Sequence, residues 1–335
     1  MEHRKLTRYL ISLMMILIMV GLAEWTNEKE ILFPEMTALI IGLLIIDKRV
    51  WNVKRWQIIL LMTLGAVAGI CIVRYSPLPY VVNLCAAFVF AGASLLISRA
   101  TLIPLISACV LPVLLHTESI IYPIAVFSMS VSVVLVQIIL EKCGIRNRMP
   151  KSVGRKPGKE DIIRWLILFC FVGALAGLAV SMDYPYLILP PLMVTFVEMV
   201  NSKAGFKNRP TQVFLFLATA ATLGTVLQIV GHHHLHLPES IIALTIAAIL
   251  FLIFEWTGKY FAPAGALAFI PMLLPQEGLG WLPLEASIGA TLFITIAMVV
   301  FQKCYKWNRA QLIFCATPTL LREYMNRKKR KKQIE

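Results

Sequence analysis

Apolar runs follow one another along this chain so closely that little polar sequence is left to face water. They cover residues 6–25, 32–46, 56–73, 79–98, 101–115, 119–140, 162–182, 186–200, 211–230, 239–257, 261–275 and 282–303. Most approach the roughly 20 residues that a helix needs to cross about 30 Å of hydrocarbon. Helices follow from the solvent, because backbone amides and carbonyls in lipid must be paired within the segment or in a closed barrel. Of the residues, 59% are hydrophobic and 15% charged, where soluble domains carry about 25% charged. The sequence predicts an all-α polytopic membrane protein of about twelve transmembrane elements.

The net charge of +14 is not arranged as a nucleic-acid surface. Basic residues gather in alternate connections: "DKRVWNVKR", Arg99, "EKCGIRNRMPKSVGRKPGK", "NSKAGFKNR", Lys259 and "QKCYKWNR". The connections between them, "NEKE", "HTES", "SMDYP", "LPES" and "QEGLG", are acidic or nearly neutral. Positive charge marks the cytoplasmic side, so both termini are expected there, in a multi-pass protein of the cell membrane. Trp25 and Trp281 fall at outer ends of runs, and Trp51, Trp56, Trp165, Trp256 and Trp307 at inner ends, as rings at headgroup level do. The first run lacks a small-residue cleavage site and reads as a retained span. Cysteines 71, 85, 109, 143, 170, 304 and 315 show no CxxC spacing and read as packing residues.

An internal repeat organises the runs. "RYLISLMMILIMVGLA" at 8–23 aligns with "RWLILFCFVGALAGLA" at 164–179, and Pro34 then matches Pro190, Gly69 Gly224, Pro104 Pro263 and Pro112 Pro271. The expected domains are a six-element repeat over 1–145, a basic cytoplasmic linker over 146–160, a second six-element repeat over 161–305, and a basic amphipathic tail over 306–335. Six is even, so the repeats are expected to be parallel, about an axis along the membrane normal.

Two runs are broken by proline in the same way. "LIPLISACVLPVLLH" at 102–116 and "FAPAGALAFIPMLLP" at 261–275 hold prolines where a helix interior would lose about 3 kcal/mol each. Twelve residues from Pro104 or Pro263 make about 18 Å of helix, too short to cross alone. Pairs of short, interrupted segments at matching places in two halves are the best sequence pointer to a transporter's site. Pro104 and Pro263 are therefore expected to open half-helices whose free amides attract an anion. Ala264 and Gly265 would let it approach the backbone, with Arg99 and Lys259 drawing it in from the cytoplasmic side. Thr195 and Glu198 in the third short run complete the candidate set. Arg99 and Glu255 hold nearly equivalent places and could pair across the axis, and no acid is assigned to the middle of a span. Ser128, Ser130 and Ser132, with counterparts Ser287, Gly289 and Thr291, read as small residues that let helices pack closely.

"YFAPAGALAFIPMLLPQEGLGWLPLEASIGATLFITIAMVVF" resembles the signature end of the HPP family of membrane proteins, and "PPLMVTFVEMVNSKAGFKNRPTQ" is similar to that family's proline-led helix and polar loop. The resemblance covers most of 160–303, and the eponymous tripeptide reads Ala262-Pro263-Ala264 here. It implies a transporter-like function for a small anion.

His232, His233, His234 and His236 could ligate a transition metal from an outer loop. With Glu118 and Glu277 in nearby loops they support an alternative, a membrane-embedded enzyme; a scaffold or assembly subunit is a third reading. No HExxH, GxSxG or P-loop occurs. No cofactor is expected. The expected partners are a small anion and membrane lipid, anionic at the Lys/Arg-rich tail, with a homo-oligomer allowed and nucleic acid excluded. Single cysteines placed within 142–160 of a cysteine-free variant should be labelled by an impermeant maleimide only when the cytoplasmic face is opened.

Overall fold

The computed structural model describes residues 2–148, 154, 157–201 and 209–302, so the tail and part of the basic linker lie outside it. The principal elements are helices: α1 Glu2–Thr26, α2 Pro34–Ile40, α3 Arg55–Tyr75, α4 Tyr80–Ser98, α5 Leu105–Leu115, α6 Ile121–Lys142, α7 Lys159–Ser181, α8 Pro190–Asn201, α9 Pro210–Leu227, α10 Glu239–Thr257, α11 Ala262–Phe269 and α12 Leu282–Gln302. Eight of them, all except α2, α5, α8 and α11, are long and apolar enough to cross a membrane. The chain is a polytopic membrane protein.

The four short helices follow from their prolines. Pro34 and Pro190 stand first in α2 and α8, Pro263 second in α11, and Pro104 is the cap of α5. A proline at a helix start loses no bond, because the first amides have no partner in the helix. α2 runs on as a π-helix over Ile41–Ile45, and α11 as a 3₁₀ turn over Ile270–Met272. Pro112 sits inside α5 and cannot donate to the Ala108 carbonyl, which instead accepts the Tyr122 hydroxyl at 3.1 Å. Every residue of α2 and α11 is buried, whereas the long helices keep large apolar side chains such as Leu10, Leu60, Ile139 and Leu252 on the outside. The bundle thus encloses its broken segments, as backbone in lipid must be enclosed.

Polar contacts fix the direction of each element. α1 runs antiparallel to α10, with Lys5 on Glu255 at 2.5 Å at one end. At the other, the Glu24 carboxylate accepts the amides of Glu239 and Ser240, both at 3.2 Å. Arg8 donates to Asp47 and to the Leu44 carbonyl at 3.5 Å, so α2 ends at the face where α1 begins. The Gln57 amide donates to the Ser98 carbonyl at 3.2 Å and Arg55 pairs with Glu141, placing the start of α3 and the ends of α4 and α6 on that same face. The His116 ring, after α5, stacks at 5.1 Å on Tyr80 at the start of α4, on the opposite face. The expected pairing of Arg99 with Glu255 does not occur: Glu255 is taken by Lys5, Tyr9 and Tyr260, all closer to it along the α1–α10 seam.

Packing follows the repeat. α1 lies on α10 as α7 lies on α4, α2 on α11 as α8 on α5, and α3 on α5 as α9 on α11. The last pair meets at a glycine notch in each half. A Cβ on Gly69 would fall on the Cys109 carbonyl and 3.0 Å from the Pro112 ring; one on Gly224 would fall on the Ala268 carbonyl and 3.1 Å from the Pro271 ring. Of the serine series only Ser130 and its counterpart Gly289 pack inward, Gly289 against the Leu187 carbonyl, while Ser128, Ser132 and Thr291 are exposed. Among the tryptophans, Trp25, Trp56, Trp256 and Trp281 are exposed as expected for headgroup rings, but Trp51 is buried and Trp165 is half-buried against Phe88. Gly69→Val and Gly224→Val should each cost about 1–3 kcal/mol by overpacking, read as a lowered melting temperature in detergent. Gly21→Val, with nothing within 4 Å of its added Cβ, should leave that temperature unchanged.

Candidate functional site

The first turns of all four short helices meet in the interior. They enclose a cavity of about 10 Å³, room for about one water. Its walls are nearly all repeat counterparts: Pro104 with Pro263, Ala38 with Val194, Ser107 with Ala266, and Glu35 with Pro191, joined by Ala262. The four helix starts turn the positive ends of their dipoles towards it and no cationic side chain lines it, while first-turn amides such as those of Met36, Leu105, Leu192 and Ala264 donate to the carbonyls of Phe33, Leu102, Leu189 and Phe261 just before them.

Glu35 is the residue that sequence reading missed. It is 1% exposed, its Oε1 accepts the Ser107 hydroxyl, and its Oε2 has no hydrogen-bond partner. The reading that no acid lies at mid-span is therefore corrected. Glu35 follows "NEKEILFP", which looks like a charged loop, yet Pro34 starts the helix one residue earlier and the acid is carried inside with it. The signal available was the proline itself, since an acid next to a helix-opening proline stands in the first turn, where the dipole favours it.

The other candidates divide into two groups. Pro104 and Pro263 line the cavity as expected. Ala264 and Gly265 are buried, and Gly265 faces α2: a Cβ on it would overlap the Ile41 side chain and come within 3.1 Å of Thr37. Gly265 thus serves helix contact, and its expected role in ligand approach is corrected. The Thr195 hydroxyl is spent on the Pro191 carbonyl at 2.8 Å. Glu198 lies about two turns further along α8 and accepts the Trp51 indole N–H at 3.1 Å. That indole packs over Gly42, the repeat counterpart of Glu198, where a Cβ would meet the ring. Lys259 is half-buried in the connection before α11.

Arg99 borders a groove of about 170 Å³ at the face where α1 begins, together with Thr101, Ile103, Arg164, Trp165 and Asn201. Ile103 adjoins Pro104, so this basic groove ends one residue from the central cavity. On the opposite face a vestibule of about 530 Å³ opens between the two halves, lined by Lys29, Glu30, Tyr80, His116, Tyr122 and Tyr186 among others. Tyr122 belongs to the vestibule wall, and its ring meets Phe33, two residues before Glu35, at 6.1 Å.

Three of the four histidines are helical, and only His236 lies in the connection before α10. His232, His233 and His234 end a π-helical extension of α9 over Gln228–His234, and His236 follows with φ 52°. His232 Nδ1 lies 3.2 Å from the Leu237 carbonyl and its Nε2 3.7 Å from Glu239. The His232 and His233 rings meet edge-on at 5.2 Å, and no three His, Cys, Asp or Glu side chains among the described residues stand where they could share a metal ion.

No family model matches the chain, and no curated protein or solved structure is similar to it.

The far end of α2 is held by charge. Arg8 binds the Leu44 carbonyl, and Arg146 donates to the Ile46 carbonyl at 2.7 Å, so two cations sit at the negative end of that helix. Arg146 is 3% exposed, and burial pushes its guanidinium down to about 10, opposed by Glu141 at 3.6 Å. Removing one partner of a buried pair costs about 3–5 kcal/mol because the other charge is stranded. Glu141→Ala should therefore lower the melting temperature far more than Arg55→Ala, whose side chain is 45% exposed.

Proposed function

We propose that this protein carries a small anion across the cell membrane, and that the anion's site is the centre where the four half-helices begin. The single observation that supports this most is the meeting of four helix starts around one small cavity, which brings the positive ends of four helix dipoles to one point without a buried cationic side chain. Irregular backbone at membrane depth has to be buried in protein or line a path, and here it does the first at the centre and the second at either end.

The proposed arrangement is two parallel six-element halves with both termini in the cytoplasm. The matching helix pairs and glycine notches support the halves, and the alternating basic connections support the orientation. In this orientation the vestibule opens outward and the Arg99 groove inward. The HPP-like segments over 190–212 and 260–301 support the same class of function by resemblance.

Arg99 at the inner groove would raise the local anion concentration without touching the bound ion, whereas Arg164 there is paired with Asp161 at 3.5 Å. Proteoliposomes should take up at least one of chloride, nitrite, nitrate and acetate. Arg99→Gln should slow that flux several-fold at low ionic strength and less at high, where the Debye length falls to a few ångströms. Flux of none of these anions would overturn the proposal.

A further inference from the structure

Resting on the anion site proposed above, the geometry points to Glu35 as that site's own tethered anion, so that each transported anion enters together with one proton taken up by the Glu35 carboxylate. Three observations lead there. The carboxylate stands among the four helix starts, where their partial charges favour a negative ion. The space beside it is about 10 Å³, enough for one water and too small for chloride or nitrite while the carboxylate stays in place. Finally, its Oε1 is held by Ser107, but Oε2 is buried with no partner, an oxygen left free to receive a proton.

The balance is simple. With Glu35 ionised, the centre holds one negative charge and has no call for a second. When a proton from vestibule water bonds to Oε2, the carboxyl becomes neutral, the partial charges of the helix starts are again unopposed, and a monovalent anion can take their place. On release the proton leaves Oε2 and the carboxylate again faces the helix starts, its Oε1 held by the Ser107 hydroxyl. One anion and one proton move together, with no net charge transferred.

The surroundings contain no other group suited to the task. On the elements packed around Glu35, α11 brings Ala262, Pro263 and Ala266, and α8 brings Pro191 and Val194, none of which titrates. Glu198 of α8, about one turn beyond the cavity-lining Val194, is engaged by the Trp51 indole N–H at 3.1 Å. α5 brings Ser107 and the buried Cys109, α6 the hydroxyl of Tyr122, which donates to the Ala108 carbonyl, and α1 carries Lys5, Arg8, Tyr9 and Glu24 towards its two ends. Lys29 and Glu30 precede Glu35 but lie in the vestibule wall, as does Tyr122. Tyr122 thus places a hydroxyl between the water-accessible vestibule and the buried carboxylate.

The test uses the purified full-length protein with chloride and nitrite as probes. In weakly buffered detergent solution, binding of the probe should take up about one proton per anion, read with a pH dye. Over roughly two pH units above the carboxyl's own transition the affinity should fall by up to about a hundredfold, the limit for one linked proton. In Glu35→Gln the proton uptake should vanish and the affinity should vary less than about twofold over the same range. Glu255→Gln, on the α1–α10 seam, should behave as the wild type. Anion binding by the wild type without proton uptake overturns this inference and leaves the anion site standing. Undiminished proton uptake in Glu35→Gln overturns it as well. If neither probe binds at acidic pH, the anion site fails and this inference fails with it. Where Glu35→Gln does not fold, the wild-type proton count alone decides.

Discussion

Helix starts in a membrane interior leave amides that water cannot reach, and the rest of this structure is arranged around four such starts. Each needs a proline-tolerant first turn, a neighbour that covers it, and something negative in front of it. Pro34, Pro104, Pro190 and Pro263 meet the first need, and the eight long helices the second. Glu35 stands at the cavity where the four starts meet, its Oε1 accepting the Ser107 hydroxyl.

The ends of the short helices are as constrained as their starts. A half-helix that begins at mid-depth delivers its unpaired carbonyls near one face, where cations can cap them. Arg8 and Arg146 do so for α2, and in the second half Arg164, the counterpart of Arg8, lies 3.4 Å from the side-chain oxygen of Asn201 at the end of α8. On the other side of the bundle Glu24 does the reverse, an acid on the first amides of α10. Basic residues on the face where α1 begins therefore have two duties that coincide. They make up the basic connections and also complete helices that are too short to reach it.

Much of this was legible before any coordinates, because the strongest constraints act on composition and spacing. Apolar runs gave the helices, and the matched prolines marked where four of them break. The duplicated Gly69 and Gly224 marked a close helix contact. What could not be read was which way a side chain turns within a buried helix. Gly265 looks like room for a ligand in sequence, but the helix phase directs it at Ile41 and Thr37. Trp51 sits in a basic loop and reads as a headgroup ring, yet the missing Cβ of Gly42 and the carboxylate of Glu198, more than a hundred residues later, draw it inside. Such contacts join segments whose proximity no local pattern encodes. Glu35 was hidden for a related reason: the charged residues before it belong to the vestibule rim, and the boundary between rim and interior falls inside a single short stretch of sequence.

The departures from symmetry are as informative as the symmetry. A duplicated half would place a carboxylate on both sides of the central cavity, and two like charges a few ångströms apart cannot both stay ionised. Here the second half has Pro191 opposite Glu35 and Ala266 opposite Ser107, so the acid and its donor belong to one half and apolar walls to the other. The vestibule shows the same bias. Lys29 and Glu30 face their counterparts Pro185 and Tyr186, and the tyrosines at 80 and 122 come from the first half. A single carboxylate facing a dry wall keeps one free oxygen, which a symmetric pair would have lost to a shared proton.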